Sequence, residues 1–241
     1  MKDFLKDLID HTHGLGVVEL LKVSGTDTET TFNAVAENKT VIISGTFKNP
    51  ISDFIGTFGM PNLGKLKTIL SFEDYNEDSV ISMTRNSEDI PEAIHFETKN
   101  LDFVNDYRLM AKTVVEAKIK NIIFKIAPVY GVSFVPTVEN IQKLKRQSSA
   151  NSEEKTFSIM LKDNNLQINF GDVTTHSGSL VFQSNVSGTL NKQLKFPIKE
   201  TLDILNLFGD KTFRISDQGL AEITVDSGLA VYTYLLPAQE K

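Results

Sequence analysis

Cysteine and tryptophan are both absent from this chain of 241 residues. Without cysteine, the protein can form neither disulfide bonds nor thiolate metal sites. Its apolar runs fall short of the roughly 20 residues that a membrane-spanning helix needs, and its start, MKDFLKDLID, is too charged for a secretory signal. We therefore expect a protein without a membrane partner, with the cytoplasm as its default location.

Groups suited to catalysis are also scarce. The chain has four histidines, of which His11 and His13 form, with Asp10, the motif DHTH. Because residues two apart on a helix project about 200° apart, a polar helix end is favoured over a metal site. The acidic run at residues 73–78 lacks the glycine and spacing of a calcium loop, and neither a P-loop nor GxGxxG occurs. This pattern favours a protein that is not an enzyme and that uses no metal or cofactor.

The net charge of −6 is distributed unevenly. Residues 1–112 contain 11 basic and 18 acidic side chains, whereas residues 113–241 contain 14 and 13. The first half is therefore strongly acidic and the second nearly neutral. An acidic protein can still bind DNA where its basic side chains gather on one surface, because local potential governs such contacts.

A helix followed by a meander of strands recurs along the chain. Four segments have apolar residues at helical spacing, and each is followed by stretches rich in Val, Ile, Thr and Phe with frequent turn residues. These segments cover residues 4–15, 60–72, 136–149 and 196–209. The repetition predicts an α+β protein with domains over residues 1–112 and 129–241 and a connector over 113–128.

A resemblance to a known family rests on five segments, in order: GMPNLGKLKTIL, NDYRLM, PTVENIQKLKRQSSANSEE, FGDVTTHSG and GDKTFRISDQGLAEITVDSGLAVYTYLLPAQ. They resemble the DNA polymerase sliding clamps of T4-like bacteriophages, whose fold is shared with proliferating cell nuclear antigen. The resemblance covers residues 60–239, whereas residues 1–59 match in pattern only. It implies two clamp domains, each with antiparallel sheets outside and two helices lining the inner face.

The resemblance also implies an assembly and a function. The assembly would be a homotrimer closed head to tail around duplex DNA, and the opposite charges of the two halves suit such a contact. The function would be that of a processivity factor in the cytoplasm of an infected bacterial host. Its implied partners are the DNA polymerase, a clamp loader ATPase and, as a further candidate, late-transcription factors. The alternative is a non-catalytic β-rich phage structural or assembly protein.

The third predicted helix offers the first candidates for contact with DNA. Val138, Ile141 and Leu144 share one face at helical spacing, while Lys143 and Arg146 lie three apart on the opposite face. Such cations are usually the solvated side of an amphipathic helix, but the resemblance favours contact with phosphates. Further candidates on the other helices are Lys2, Lys6, Lys65, Lys67 and Lys199. Because these helices also carry acidic residues, an ordinary solvent face remains an equal alternative.

Near its end the sequence reads TYLLPAQ, which resembles the Tyr-Leu-Ala-Pro ending of eukaryotic clamps. In that family this tail and the interdomain connector border an apolar groove that accepts partner peptides. The resemblance makes candidates of Tyr234, Leu235, Leu236, Pro237 and Ala238 in the tail and of Val114 and Val115 in the connector. The alternative is that Tyr234 and Leu236 only complete a buried strand.

Overall fold

The computed structural model describes residues 1–120, 127–172, 174 and 176–239. This part of the chain forms five α-helices and fifteen β-strands. The strand pairs whose register is defined are antiparallel. Two compact units are formed, one from Met1–Ile122 with Ser227–Tyr232 and one from Ile123–Asp226 with Thr233–Lys241. The α+β class predicted from the sequence is confirmed.

The first unit contains three helices and seven strands. They are α1 (Lys2–His11), β1 (Leu20–Gly25), β2 (Thr30–Val35), β3 (Ile42–Phe47), β4 (Gly56–Pro61), α2 (Leu63–Leu70), β5 (Val80–Arg85), β6 (Pro91–Glu97), β7 (Val104–Arg108) and α3 (Lys112–Lys118). The strands are ordered β4-β1-β2-β3 and β5-β6-β7. Helix α1 packs against α2.

Alternation and helical spacing explain the core of the first unit. Phe32 and Ala34 of β2 are buried while their neighbours in the strand are more exposed, as expected for a sheet with one covered face. Helix α1 buries Leu5 and Leu8 at i and i+3, and α2 buries Leu66 in the same way. Both helices therefore keep one polar face exposed.

The second unit contains two helices and the remaining strands, except that residues 230–232 of the last strand belong to the first unit. They are β8 (Val132–Phe134), α4 (Val138–Ala150), β9 (Thr156–Lys162), β10 (Asn165–Gly171), β11 (Ser177–Gln183), β12 (Leu194–Pro197), α5 (Ile198–Asn206), β13 (Asp210–Ser216), β14 (Leu220–Asp226) and β15 (Ala230–Pro237). One sheet has the order β11-β10-β9-β12, and β8, β13 and β14 are neighbours in another. Helix α4 packs against α5 and β11.

All four predicted helices are present, as α1, α2, α4 and α5, and each is shorter than predicted. At residues 60–72 the helix begins later than predicted, because Met60 and Pro61 belong to β4, where they pair with β1. Asn62 then adopts a left-handed conformation with φ 52°, which turns the chain from the strand into α2.

The predicted connector contains an unexpected helix. Residues 113–118 lie in α3, which begins at Lys112, while residues 121–126 of the connector lie outside the described residues. The segment Ser227–Tyr232, inside the predicted C-terminal domain, packs with the first unit. The domain bounds of 1–112 and 129–241 stay a prediction.

Candidate nucleic-acid and partner interfaces

In the first unit, the helical candidates for DNA contact differ in their accessibility. Lys6 of α1 and Lys65 and Lys67 of α2 are exposed. Lys2 is only half-exposed, and its Nζ donates a hydrogen bond to the carbonyl oxygen of Tyr75. Burial, and then the positive charge of Lys6, lower the pKa of Lys2. Lys2 is therefore held by its own unit more firmly than the other three.

In the second unit, α4 presents the strongest cationic surface. Thr137 caps the helix, since its Oγ1 accepts a hydrogen bond from the backbone N–H of Asn140 at 3.1 Å. Arg146 is exposed and lies roughly 140° around the helix from the buried Ile141. The sequence pattern thus predicted the direction of Arg146 correctly.

Ion pairing distinguishes the other cations of the second unit. Lys143 pairs with Glu139 at 2.8 Å, one turn earlier, and this hydrogen bond and charge lower the pKa of Glu139. On α5, Lys199 pairs with Asp203 at 2.8 Å. Because a paired lysine must exchange partners before it binds a phosphate, Arg146 is the stronger candidate for contact with DNA.

The exposed surface of α4 is broader than the sequence indicates. Lys145 is exposed, although it lies only roughly 40° around the helix from the buried Ile141. Val138, assigned to the apolar face with Ile141 and Leu144, is 76% exposed because it is the first residue of the helix. The buried stripe of α4 is therefore narrower than predicted, and its cationic side is broader.

The helices are cationic on an acidic chain. Together α1, α2, α4 and α5 carry eight basic and six acidic side chains, whereas the whole chain has a net charge of −6. The four helices therefore have a net charge of +2, which leaves −8 for the rest of the chain. Positive charge at helix surfaces suits contact with phosphates without base reading.

Strand β15 corrects part of the predicted peptide groove. Tyr234 and Leu236 are fully buried and point to the same side of the strand. Leu235 points to the opposite side and is still only 3% exposed. These three side chains are core residues, so the prediction that they form a groove rim is wrong. Pro237 and Ala238, which follow them, remain partly exposed.

The two connector candidates also differ in their burial. Val115 is fully buried against Gly59, where an added Cβ would lie 2.8 Å from Val115 Cγ2. Val115 is thus a packing residue of the first unit and not a groove residue. Val114 is 45% exposed and stays available for contact with a partner.

A turn whose partners are distant in sequence holds three segments of the second unit together. It joins β13 to β14, and its Asp217 accepts hydrogen bonds from the backbone N–H groups of Asn191 and Lys192 at 2.9 and 3.1 Å. The neighbouring Gln218 accepts from the N–H of Val129 at 3.3 Å. The carbonyl oxygen of Gly219 accepts from the N–H of Ala238 at 2.8 Å. The motif SDQG signals a turn, but its partners are distant in sequence.

Replacing Asp217 with Ala should loosen this turn. Burial tends to raise the pKa of Asp217, but hydrogen bonds from Asn191 and Lys192 outweigh it and lower the pKa. Their stabilisation is therefore present above the unfolded pKa of about 3.9 and is lost as the pH falls through the lower folded value.

We expect a loss of about 1 kcal/mol in the free energy of unfolding, because the turn is partly exposed. Urea titrations at pH 7 and pH 3 measure it. A difference between Asp217→Ala and the parent protein that is as large at pH 3 as at pH 7 would contradict this role.

The described residues contain no group of three or more potential ligands that could hold a metal ion. Nor is any helix among them both long and apolar enough to cross a membrane.

Comparisons with known proteins bear on the fold. No protein-family model matches the chain, and a search of curated proteins found no match. Among solved structures, the chain is similar to a chain in the structure described as "C-terminal region of FEN-1 bound to A. fulgidus PCNA", with a TM-score of 0.69. The alignment covers 100% of this chain and 96% of that chain at 9% sequence identity. The chain therefore has the DNA-clamp fold that the sequence predicted.

Proposed function

We propose that this protein is a sliding clamp, which encircles duplex DNA and tethers a phage DNA polymerase without chemistry of its own. The observation that carries the proposal is the net positive charge of α1, α2, α4 and α5 within an acidic chain of clamp fold. Tethering raises the effective concentration of polymerase at the primer end. The assignment to T4-like phages rests on the five sequence segments.

The unpaired edges of two sheets support the proposed ring. Strand β7 is at one edge of β5-β6-β7 in the first unit, and β11 is at one edge of β11-β10-β9-β12 in the second. Edge strands present free N–H and C=O groups to which another chain can pair. Pairing β7 of one copy with β11 of the next is a head-to-tail contact, and such contacts close into rings. We propose a homotrimer built in this way, with cross-subunit ion pairs between its acidic and neutral halves.

The proposed partners follow from this assembly. Duplex DNA would be held through its phosphates, without sequence preference. A clamp loader ATPase would have to open the ring, and the DNA polymerase would bind its surface near Pro237, Ala238 or Val114. Late-transcription factors are further proposed partners, and the site of action is the cytoplasm of the infected host.

Topological retention on DNA tests the proposed function. The protein is loaded on nicked circular DNA with the phage loader and ATP, and the complex is isolated by gel filtration. We expect retention on the circle and loss after the circle is cut by a restriction enzyme, because a ring slides off a free end. Equal retention on circular and linear DNA, or none on either, would favour the alternative of a structural or assembly protein.

Charged residues on the proposed edges should dissociate the trimer. Val104 of β7 and Val181 of β11 are exposed, and placing Lys at either position would put an unpaired charge in the contact. Light scattering should give the parent protein a mass three times the 26.9 kDa of the chain. The variants Val104→Lys and Val181→Lys should each have the mass of one chain.

Val80→Lys is the matched control for the edge substitutions. Val80 lies in β5, at the other edge of the same sheet as Val104, and both are 51% exposed. The control should remain a trimer. Dissociation by Val80→Lys to the same extent, or persistence of the trimer in both edge variants, would remove β7 and β11 from the contact.

A further inference from the structure

His95 lies between two carboxylates on the exposed side of the three-stranded sheet of the first unit. Its Nδ1 is 2.8 Å from Oδ1 of Asp106 on β7, the strand that pairs with β6 at this position. Its Nε2 is 3.1 Å from Oε2 of Glu97, two residues along β6. The imidazole therefore links the central strand to edge strand β7 by a side-chain contact in addition to the backbone ladder.

A doubly protonated ring satisfies both contacts. A neutral imidazole has one N–H donor and one acceptor nitrogen, so one of the two contacts would bring a nitrogen lone pair against a carboxylate oxygen. The imidazolium donates to both. Protonated, the group of three side chains has a net charge of −1. Loss of the proton lowers the net charge of the group to −2 and removes the donor from one carboxylate.

The charges around His95 all favour its proton. The hydrogen bonds that the ring donates to Asp106 and then to Glu97 raise the pKa of His95 above its ordinary 6.5, against a smaller effect of burial. Strand β5 contributes Ser82 opposite His95, which is uncharged. On β7 the next side chain on this face is Arg108, and Glu92 neutralises it through an ion pair at 3.0 Å.

We propose that the His95 imidazolium is a pH-dependent latch, which fastens β7 to β6 and so holds β7 in the form that pairs with a second copy of the chain. The proposal rests on the proposed function for the use of β7 in assembly. The link from His95 to Asp106 and Glu97 does not depend on that use.

The direction of the pH effect follows from linkage. A histidine whose folded pKa is raised contributes stability that is fully present below its unfolded pKa, about 6.5, and is lost as the pH rises through the folded value. The latch is therefore closed in mildly acidic solution and opens on the alkaline side.

Two measurements on the full chain test the latch. NMR of ¹³C-labelled histidine should give His95 a pKa above 6.5 that falls toward that value in the Asp106→Asn/Glu97→Gln variant. Hydrogen exchange of β7, corrected for intrinsic rates, should accelerate on the order of threefold to tenfold as His95 loses its proton. His95→Gln should lack this step, whereas His176→Gln, which alters an exposed histidine of the second unit, should retain it.

Assembly is measured separately. The dissociation constant of the trimer should increase on the order of tenfold between pH 6 and pH 9 in the parent protein, and His95→Gln should remove this increase. An ordinary His95 pKa, or β7 exchange that is identical in His95→Gln, would overturn the latch. If the latch is proven but the parent protein and His95→Gln assemble alike, the proposed role of the latch in assembly would be overturned. Absence of any trimer at all pH values would instead refute the proposed ring, and the NMR result would still decide the latch.

Discussion

Replacing Lys143 and Arg146 with Glu should abolish loading on circular DNA while the trimer persists. Both side chains are exposed on α4, and neither belongs to β7 or β11, the strands of the proposed edge contacts. In a trimer each substitution occurs three times, so six cations become anions. Each lost phosphate contact reduces the slope of log affinity against log salt by about 1. We therefore expect affinity for DNA to fall by at least about a thousandfold at low salt, and processive synthesis to be lost.

The two positions should contribute unequally. Lys143 already pairs with Glu139, whereas no ion pair is recorded for Arg146 in the described part of the chain. Moreover, Arg146→Glu alone would place a new carboxylate opposite the buried side of α4. We expect this single change to cost more affinity than Lys143→Glu. The reverse order would mean that Glu139 does not restrain Lys143 when DNA is present.

Lys39→Glu combined with Lys162→Glu provides the control. Both lysines are exposed, one in each unit and both outside the helices, and the change in net charge is the same. The control should lose only the smaller affinity that follows from a more negative protein. Equal losses in the two double variants would show that net charge matters and the helix surface does not. In that case the helical cations would be no more than a solvated face.

Periodicity alone was sufficient to locate the four helices, because each has a stripe of apolar residues that the fold buries. Their first residues were harder to predict. Met60 and Pro61 read as the start of a helix, but β4 extends through them because Leu20 and Leu21 pair with them across the sheet. Strand pairing over some 40 residues of sequence leaves no local signal, and a proline at the end of an edge strand is compatible with either state.

Helix α3 shows the opposite error, because it is a helix that the sequence did not predict. Its sequence, KTVVEAK, contains β-branched residues at three successive positions, and such residues favour strands. Tertiary packing overrides this preference, since Val115 fits against the bare backbone of Gly59. A helix of seven residues is also too short to show a clear apolar stripe.

For the candidate sites, the sequence identified cations better than it identified a groove. A lysine or arginine on the polar side of an amphipathic helix is usually exposed, because that side faces solvent, and Arg146 is an example. The tail motif, by contrast, says nothing of which side of β15 is covered. Alternation buries Tyr234 and Leu236, and Leu235 is covered on the other side. The hydrogen bonds that Asp217 accepts could not be predicted, because their donors are 26 and 25 residues away in sequence.

Asp7→Ala should be the most destabilising polar substitution in the first unit. Its carboxylate is almost fully buried in α1, where Oδ2 accepts hydrogen bonds from Tyr232 Oη at 2.7 Å and Ser227 Oγ at 3.0 Å. Oδ1 is 3.3 Å from Nδ1 of His11, and the ring of His11 stacks on Tyr232. One carboxylate thus joins the first helix to the segment Ser227–Tyr232, near the other end of the sequence.

Removing this carboxylate leaves the hydroxyl of the buried Tyr232, the hydroxyl of the partly buried Ser227 and an imidazole with fewer partners. We expect the free energy of unfolding to fall by about 3 kcal/mol, and by less in Asp7→Asn, whose amide oxygen still accepts. Urea titrations at a fixed protein concentration measure the loss, since assembly would add a concentration-dependent term. Asp10→Ala, an exposed position on the same helix, should change stability by less than about 0.5 kcal/mol.

A double-mutant cycle separates the network from the helix itself. If Asp7 acts through the hydroxyl of Tyr232, Tyr232→Phe should cost much less in the Asp7→Ala background than in the parent protein, with a coupling energy of about 1 to 2 kcal/mol. Additive losses would mean that Asp7 stabilises α1 locally and that Tyr232 contributes through ring packing alone. Coupling would mean that the end of the chain closes the first unit, so that this unit cannot complete its fold until Ser227–Tyr232 is in place.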